Sequence, residues 1–236
     1  MSKLRLKISM SLDGFVAGPD QSVANPLGIG GERLHEWVVP LVAWRAMHGL
    51  DGGEVNASTQ VVEESLAGIG ATVMGRNMFG GHPGPWNPAT PWRGWWGVNP
   101  PFHHPVFVLT HHARAPLEME GGTTFHFVTD GPEAALSAAR KAAGGKDVSL
   151  AGGAKAAQQD LAAGEVDEME INLAPVLLGR GERLFDGVGE NLHGLSLVRT
   201  IAAPGAVHLK FAKPAEAERQ RRAAVMETIK AKISEL

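Results

Sequence analysis

Between residues 71 and 173, short apolar runs of strand length end in glycine or polar turns, and several of those turns open onto stretches of helical composition. Residues 71–74 run into Gly75-Arg76-Asn77, and residues 106–110 into His111-His112. Residues 123–129 lead to a helix over 132–143 with Pro132 in its first turn. Residues 148–151 meet Gly152-Gly153 and a helix over 154–163, and residues 168–173 form the next strand. Strands that alternate with helices run parallel, because each crossover returns the chain over the face of the sheet. Upstream, Leu4, Leu6, Ile8 and Met10 alternate with Lys3, Arg5, Lys7 and Ser9, which is strand periodicity. Downstream, residues 195–202 and 206–212 flank Pro204-Gly205 and read as a hairpin. The pattern predicts a single α/β domain over 1–212 with a mixed, mostly parallel sheet and a C-terminal antiparallel hairpin. Residues 213–236, rich in Ala, Glu, Arg and Lys, are expected to form a charged helical tail. Within residues 34–48, Pro40 must kink or split any helix.

Composition narrows the chemistry. The formal net charge of −3, with no block of like charge before the tail, argues against a nucleic-acid partner. The absence of cysteine removes disulfides, thiolate metal sites and cysteine nucleophiles. No apolar run approaches membrane-spanning length, and MSKLRLKISMSLDG lacks the apolar core of a signal peptide. A cytoplasmic protein acting on a small molecule is expected, with neither nucleic acid nor membrane as partner.

Three strand ends carry groups suited to phosphate. At Gly75, Arg76 and Asn77 a guanidinium sits beside a helix start that Asn77 could cap, although a strand-end arginine is also ordinary surface. At Thr110, His111 and Arg114 a hydroxyl, an imidazole and a guanidinium could hold a phosphorylated ribose, or form an exposed polar turn. At Gly152 and Gly153 the backbone itself would supply the donors, unless the pair only eases a tight turn. Gly28-Ile29-Gly30-Gly31 lies in loop sequence and is not a dinucleotide fingerprint. The pairs His103-His104 and His111-His112 lack metal-ligand spacing, and no G-x-S-x-G elbow suggests a serine hydrolase. No metal is expected.

Two further features stand apart. Asp13-Gly14 is either a common turn pair or a carboxylate at a strand's mouth, placed to bind a hydroxyl or orient a substrate. The segment over residues 80–105 is too long for a mere connection, and it holds Trp86, Trp92, Trp95 and Trp96. These rings either stack on a substrate and exclude water, or anchor the loop to the core.

Taken in order, "SMSLDGFVAG", "ATVMGRNMF", "VFVLTHHAR", "VSLAGGA" and "EMEINLAPVLLGRGERLF" resemble the dihydrofolate reductase-like superfamily over residues 3–212. The branch most similar is that of the reductase domain of bacterial riboflavin biosynthesis deaminase-reductases. The resemblance implies a three-layer α/β/α fold, NADPH as hydride donor and a homodimer. By position it places Gly75, Arg76 and Asn77 at the adenosine-phosphate side, and Thr110, His111 and Arg114 at the 2′-phosphate and adenine. It places Gly152, Gly153, Ala154 and Lys155 at the pyrophosphate, and Asp13 near the nicotinamide and a ribityl chain as the catalytic group. The proline- and aspartate-containing context that binds a pterin ring in true dihydrofolate reductases is missing around Glu36. The zinc deaminase domain of the riboflavin enzymes has neither room nor cysteines here.

The resulting expectation is an NADPH-dependent reductase of a small planar or ribityl-bearing substrate, pterin-, pyrimidine- or flavin-like. Trp86, Trp92, Trp95 and Trp96 are the expected substrate-binding residues. The alternatives are a non-catalytic cofactor-binding protein and a flavin-using reductase of the same fold.

Overall fold

The computed structural model describes all residues except 1, 90, 191, 193, 215, 235 and 236. Its strands are β1 (Leu4–Ser11), β2 (Phe15–Ala17), β3 (Ile69–Gly75), β4 (Pro105–Leu109), β5 (Leu117–Glu118), β6 (Thr124–Val128), β7 (Asp147–Gly152), β8 (Glu168–Ala174), β9 (Glu182–Arg183), β10 (Ser196–Ala203) and β11 (Ala206–Ala212). Its helices are α1 (Val42–Met47), α2 (Ala57–Leu66), α3 (Arg76–Phe79), α4 (Pro132–Ala142), α5 (Ala154–Ala162) and α6 (Glu216–Ser234).

Among the described residues, nine strands form one sheet in the order β10-β11-β8-β1-β7-β3-β4-β6-β5. From β8 through β6 every neighbouring pair is parallel. The hairpin β10-β11 adds antiparallel to β8, and β5 closes the far edge antiparallel to β6. The alternating strand and helix composition therefore yields the expected mixed sheet, and the C-terminal hairpin is its antiparallel edge. Two elements too short to read from sequence, β2 and β9, pair separately as a two-stranded sheet.

Alternation along each strand divides the sheet into two chemically different faces. On the first, Leu4, Leu6, Val73, Phe107, Val148, Leu150 and Met169 pack with Ala135, Leu136 and Ala139 of α4 and Ala157 and Leu161 of α5. The second face is itself split. Over β11, β8 and β1 it presents His208, Lys210, Glu168, Glu170, Asn172, Arg5, Lys7 and Ser9. Over β3, β4 and β6 it presents Met74, Val106, Val108, Phe125 and Phe127.

The charged half lies beneath α2 and the segment that precedes it. Asn56 caps α2: its side chain accepts from Ser58 N–H at 2.8 Å while Thr59 Oγ1 accepts from Asn56 N–H at 3.1 Å. Ser58 is thereby free to donate its hydroxyl to His208 Nε2 at 2.8 Å, and His208 Nδ1 donates to Asn172 Oδ1 at 2.7 Å. Burial pushes the His208 imidazole down to about 4, so it stays neutral in this chain of bonds. Lys7 donates to Ser65 Oγ at 2.8 Å, and burial pulls its ammonium down to about 8. Pro40 ends the run over 34–48 as expected: a 3-10 turn covers Gly31–His35, and α1 starts only at Val42.

Among the described residues, the apolar half is met by one helical turn, α3, whose Phe79 joins it, and by none of the longer helices. The tryptophan segment takes that place, with Trp86, Trp92 and Trp96 packed against the cluster of Met74, Phe79, Val106, Val108 and Phe125. Beyond the hairpin, α6 forms over the tail, and no described helix is long and apolar enough to cross a membrane.

Candidate functional site

The sheet order sets β1, β7, β3 and β4 side by side. Asp13, Gly152-Gly153, Gly75-Arg76 and Thr110 to Arg114 each follow the carboxyl end of one of these strands. Four expectations drawn from separate stretches of sequence thus fall in a row. At about 4.8 Å per strand the row is roughly 14 Å long, and it occupies the edge where open α/β sheets bind ligands.

In the middle of the row two turns meet. A Cβ built on Gly75 would lie 3.6 Å from Gly153 N and 3.7 Å from Gly152 O, ordinary contact distances that place the end of β3 against the turn after β7. Gly152 has φ +113°, a conformation side chains rarely adopt, and the Gly152–Gly153 peptide is cis. Gly153 begins α5 with no side-chain cap, and a Cβ on it would meet nothing within 4 Å. The start of α5 thus carries no side-chain cap, and a helix start of that kind favours an anion. Ala154 is buried and can offer only its backbone there, while Lys155 is exposed.

The next strand ends differ from expectation in detail. Gly75, not Asn77, is the N-cap of α3, and α3 is a single four-residue turn in which Asn77 is exposed. Asn77 therefore has no capping role. Arg76 is drawn into the tryptophan segment: its guanidinium lies 3.5 Å over the Trp86 ring and donates to Gly80 O and to His82 O at 3.0 Å. Its Nε is buried without a partner. Burial, and then neighbouring Arg114, bring Arg76 down to about 10, so it remains charged. Arg114 lies 4.9 Å from both the Trp86 and Phe127 rings and donates to Trp92 O at 2.6 Å. Thr110 Oγ1 accepts from His112 N–H at 3.2 Å, and His111 is exposed.

Of the four tryptophans, read from sequence as substrate plates or as loop anchors, Trp86, Trp92 and Trp96 pack against the apolar cluster and Trp95 against Trp92. Trp86 donates to His112 O at 2.7 Å and Trp92 to Phe79 O at 2.9 Å. Trp95 lies edge-on to Trp92 at 4.6 Å, and Trp96 packs on Phe102 and Phe125. These contacts fix the segment over β3, β4 and β6 and stitch it to the strand ends that carry Arg76 and Arg114.

At the other end of the row, Asp13 is a clamp. Ser11 Oγ donates to Asp13 Oδ1 at 2.6 Å, and the amides of Gly179 and Leu178 donate at 2.7 and 3.2 Å. The Ser11 bond first, and then the two amides, hold the carboxyl down to about 2. A group ionised at any ordinary pH does not donate a proton. Arg183 completes the corner by donating to Asp13 O at 3.0 Å while lying 4.4 Å over the Phe15 ring, and Gln158 donates to Arg183 O at 2.7 Å. Sequence reasoning missed Ser11, Gln158 and Arg183. The signal available was Gly179-Arg180-Gly181, whose glycines have φ of +76° and +136° and whose turn brings β9 onto β2.

Elsewhere the chemistry is closed. A cavity of about 570 Å³ at the opposite end of the sheet is lined by Lys3, Arg140, Asp167, Glu168 and Lys213. Those charges are spent on Lys3–Glu168, Arg140–Glu165 and Lys213–Asp167 pairs. The line Ser58–His208–Asn172 has the order of a hydrolase triad, but Ser58 is 0% exposed, so no substrate reaches it. No group of three or more metal-ligating side chains occurs among the described residues.

The family model described as the RibD C-terminal domain matches residues 2–209. No curated protein matches the chain. Among solved structures, a putative riboflavin biosynthesis protein from Shewanella sp. PV-4 is 20% identical with a TM-score of 0.56, covering 90% of this chain and 99% of that one. RibD of Acinetobacter baumannii is 18% identical with a TM-score of 0.52, covering 91% of this chain and 59% of that one. A diaminohydroxyphosphoribosylaminopyrimidine deaminase/5-amino-6-(5-phosphoribosylamino)uracil reductase from Thermotoga maritima is 14% identical with a TM-score of 0.52, covering 90% and 57%. The chain thus spans less than two thirds of the latter two proteins, and at these identities the likeness is one of fold.

Proposed function

The chain belongs to the family of RibD C-terminal domains, and from that premise we propose that it is an NADPH-dependent reductase of a small, planar, ribosyl- or ribityl-bearing substrate. The observation that carries this reading is the row itself, where the uncapped start of α5 at Gly153 stands beside the strand ends that carry Arg76 and Arg114. The residues fit the cofactor: open space precedes α5, and Arg76 Nε is a buried donor with no acceptor. Bound NADPH would supply the hydride.

Gly152 to Lys155 would receive the pyrophosphate through backbone N–H groups, and Arg76 and Arg114 the 2′-phosphate through charge-assisted bonds. Asp13 acts as a positioning residue. Its carboxylate holds the amides of Leu178 and Gly179, and with Arg183 it fixes the corner where β1, β2 and β9 meet. Orientation of that kind governs turnover, because small misplacements of reacting groups are costly. The likeness in fold to a phosphoribosylaminopyrimidine reductase supports testing substrates of that class first.

The experiment is a panel. Loss of reduced-nicotinamide absorbance is followed with NADPH or NADH and an aminopyrimidine, a pterin, a flavin and a quinone. Turnover with NADPH on a ring-bearing substrate supports the reading, and NADPH binding without turnover on the whole panel defeats it in favour of a cofactor-binding protein. A yellow purified protein would instead favour flavin use. Asp13→Asn is expected to lower kcat on the order of 10²-fold while leaving NADPH affinity within about threefold, because Asp13 stands three strands from Arg114. An unchanged kcat removes Asp13 from the mechanism.

A further inference from the structure

The corner that holds Asp13 is not part of the main sheet. Its strands β2 and β9 pair with each other, Phe15 with Arg183 and Ala17 with Glu182, with an irregularity between the two pairs. Two strands this short do not fix their own position. Leu184, next after β9, is buried in the core of the first face, but apolar contact is non-directional and leaves the corner able to slide. Directed bonds must hold it. On one side the turn over Gly31–His35 reaches it, where Arg33 donates to Leu177 O at 3.3 Å. On the other side lies α5. Among the described residues, the hydrogen bonds from α5 to the corner reduce to one: Gln158 Nε2 donates to Arg183 O at 2.7 Å. Gln158 is 8% exposed, so water does not compete for that bond, and a bond shielded in this way is stronger than one at the surface.

Both ends of this bond lead to the row. Gln158 follows Ala154, the first residue of α5, by one turn, or about 6 Å along the axis, so a shift of the helix start is felt at Gln158. Arg183 carries the bond onward. Its carbonyl accepts from Gln158, and its guanidinium donates to Asp13 O at 3.0 Å while lying over the Phe15 ring. Asp13 in turn holds the amides of Leu178 and Gly179. We propose that Gln158 is a positioning residue: it keeps the Asp13 corner in register with the start of α5, and so sets the substrate end of the row against the cofactor end. The cofactor half of that statement rests on the reductase reading, whereas the tie itself does not. A hydride passes only across a short, directed gap, so the register of the two ends governs turnover more than it governs binding at either one.

Two variants separate this role from a purely structural one. Gln158→Met keeps the length of the side chain and removes the donor. Gln158→Glu keeps the shape and lacks the donor while ionised, but regains it on protonation, which burial favours. Amide hydrogen exchange of the ligand-free chain is compared at Leu178 and Gly179, with Ile171 in β8 as the reference. Gln158→Met is expected to speed exchange at Leu178 and Gly179 about tenfold, as for one lost hydrogen bond, and to leave Ile171 unchanged. No change at Leu178 and Gly179, or an equal change at Ile171, overturns the tie. With NADPH and a substrate turned over in the panel, Gln158→Met is expected to lower kcat about tenfold while the KM for NADPH stays within about threefold. Gln158→Glu should match it near pH 8 and recover toward the unaltered protein near pH 5, as the protonated carboxyl donates to Arg183 O. An unchanged kcat in Gln158→Met, or a deficit in Gln158→Glu that stays flat with pH, overturns the positioning role. If NADPH is oxidised while exchange at Leu178 and Gly179 ignores Gln158, the reductase stands and this proposal falls. If exchange responds while NADPH is never oxidised, the reductase reading falls and the tie between α5 and the Asp13 corner stands.

Discussion

The second face of the sheet is roofed twice, by opposite means. Over β11, β8 and β1 the strands offer buried polar and charged groups, and a capped helix covers them. Over β3, β4 and β6 they offer methionine, valine and phenylalanine, and an irregular segment suffices. The difference follows from directionality. Polar groups out of water need partners at fixed positions, and α2 brings Ser58 to His208, Ser65 to Lys7 and Glu64 to Arg199 from one regular element. Apolar surface asks only for area and close packing. A loop can supply both if its backbone is satisfied, and the indole N–H groups of Trp86 and Trp92 help by bonding the carbonyls of His112 and Phe79.

If this division is right, the apolar half should respond most to lost volume. Phe125 is fully buried and touches Phe79, Trp96 and Phe102, so Phe125→Ala is expected to cost about 3–5 kcal/mol. Urea unfolding measures it, and a loss below about 1 kcal/mol, the scale of an ordinary surface change, would show that the tryptophan segment is not a true core layer.

The polar half should respond to acid. The folded pKa of His208 is about 4, below the ordinary 6.5, so its contribution is present above pH 6.5 and is lost as pH falls toward 4. That is at most about 3 kcal/mol at roughly 1.4 kcal/mol per pH unit. His104, bonded to Thr72 Oγ1 at 2.7 Å at the margin of the apolar half and pushed down to about 4 by burial, adds in the same direction. Asp160 on α5 runs the other way. Burial raises it to about 6, so its contribution is present below 3.8 and is lost as pH rises through 6. Thermal melts between pH 7 and 4 should show net acid loss, shallower in His208→Gln. Asp160→Asn should be more stable at pH 7 and lose stability more steeply on acidification. A pH-independent melt in this window would break the contrast between the halves.

The smallest effect belongs to the rim of the charged half. Glu64 and Arg199 sit 2.7 Å apart but remain partly exposed. Glu64→Gln is expected to cost less than about 1 kcal/mol, and less again in high salt. A loss comparable to that of Phe125→Ala would mean that charge, not aromatic volume, organises this face.

Much of the frame was legible in the sequence. Short apolar runs, the alternation along residues 3–10 and the turns between them located β1, β3, β4, β6, β7, β8 and the final hairpin, because those signals are local. The cover of the second face was not legible, since the same tryptophans suit a lid or a layer until the strands beneath are known. Capping of α2 by Asn56 was hidden by Ser58, an equally good capping residue two positions on. Asp13 could be placed at a strand's mouth, but its engagement with Leu178 and Gly179 spans some 165 residues and has no local trace. The phosphate-suited strand ends were found individually, while their alignment in one row depends on strand order.

The position of β1 has a consequence in time. It sits between β7 and β8, pairing Leu4 with Val148 and Arg5 with Glu168. During synthesis, at about 5–20 residues per second, the first strand waits on the order of ten seconds for either neighbour to leave the ribosome. Until then its apolar face, Leu4, Leu6 and Ile8, lacks both flanking strands, and such long-range pairings are slow to form even in the finished chain. Of the strands of this sheet, the one made earliest is among the last to be enclosed.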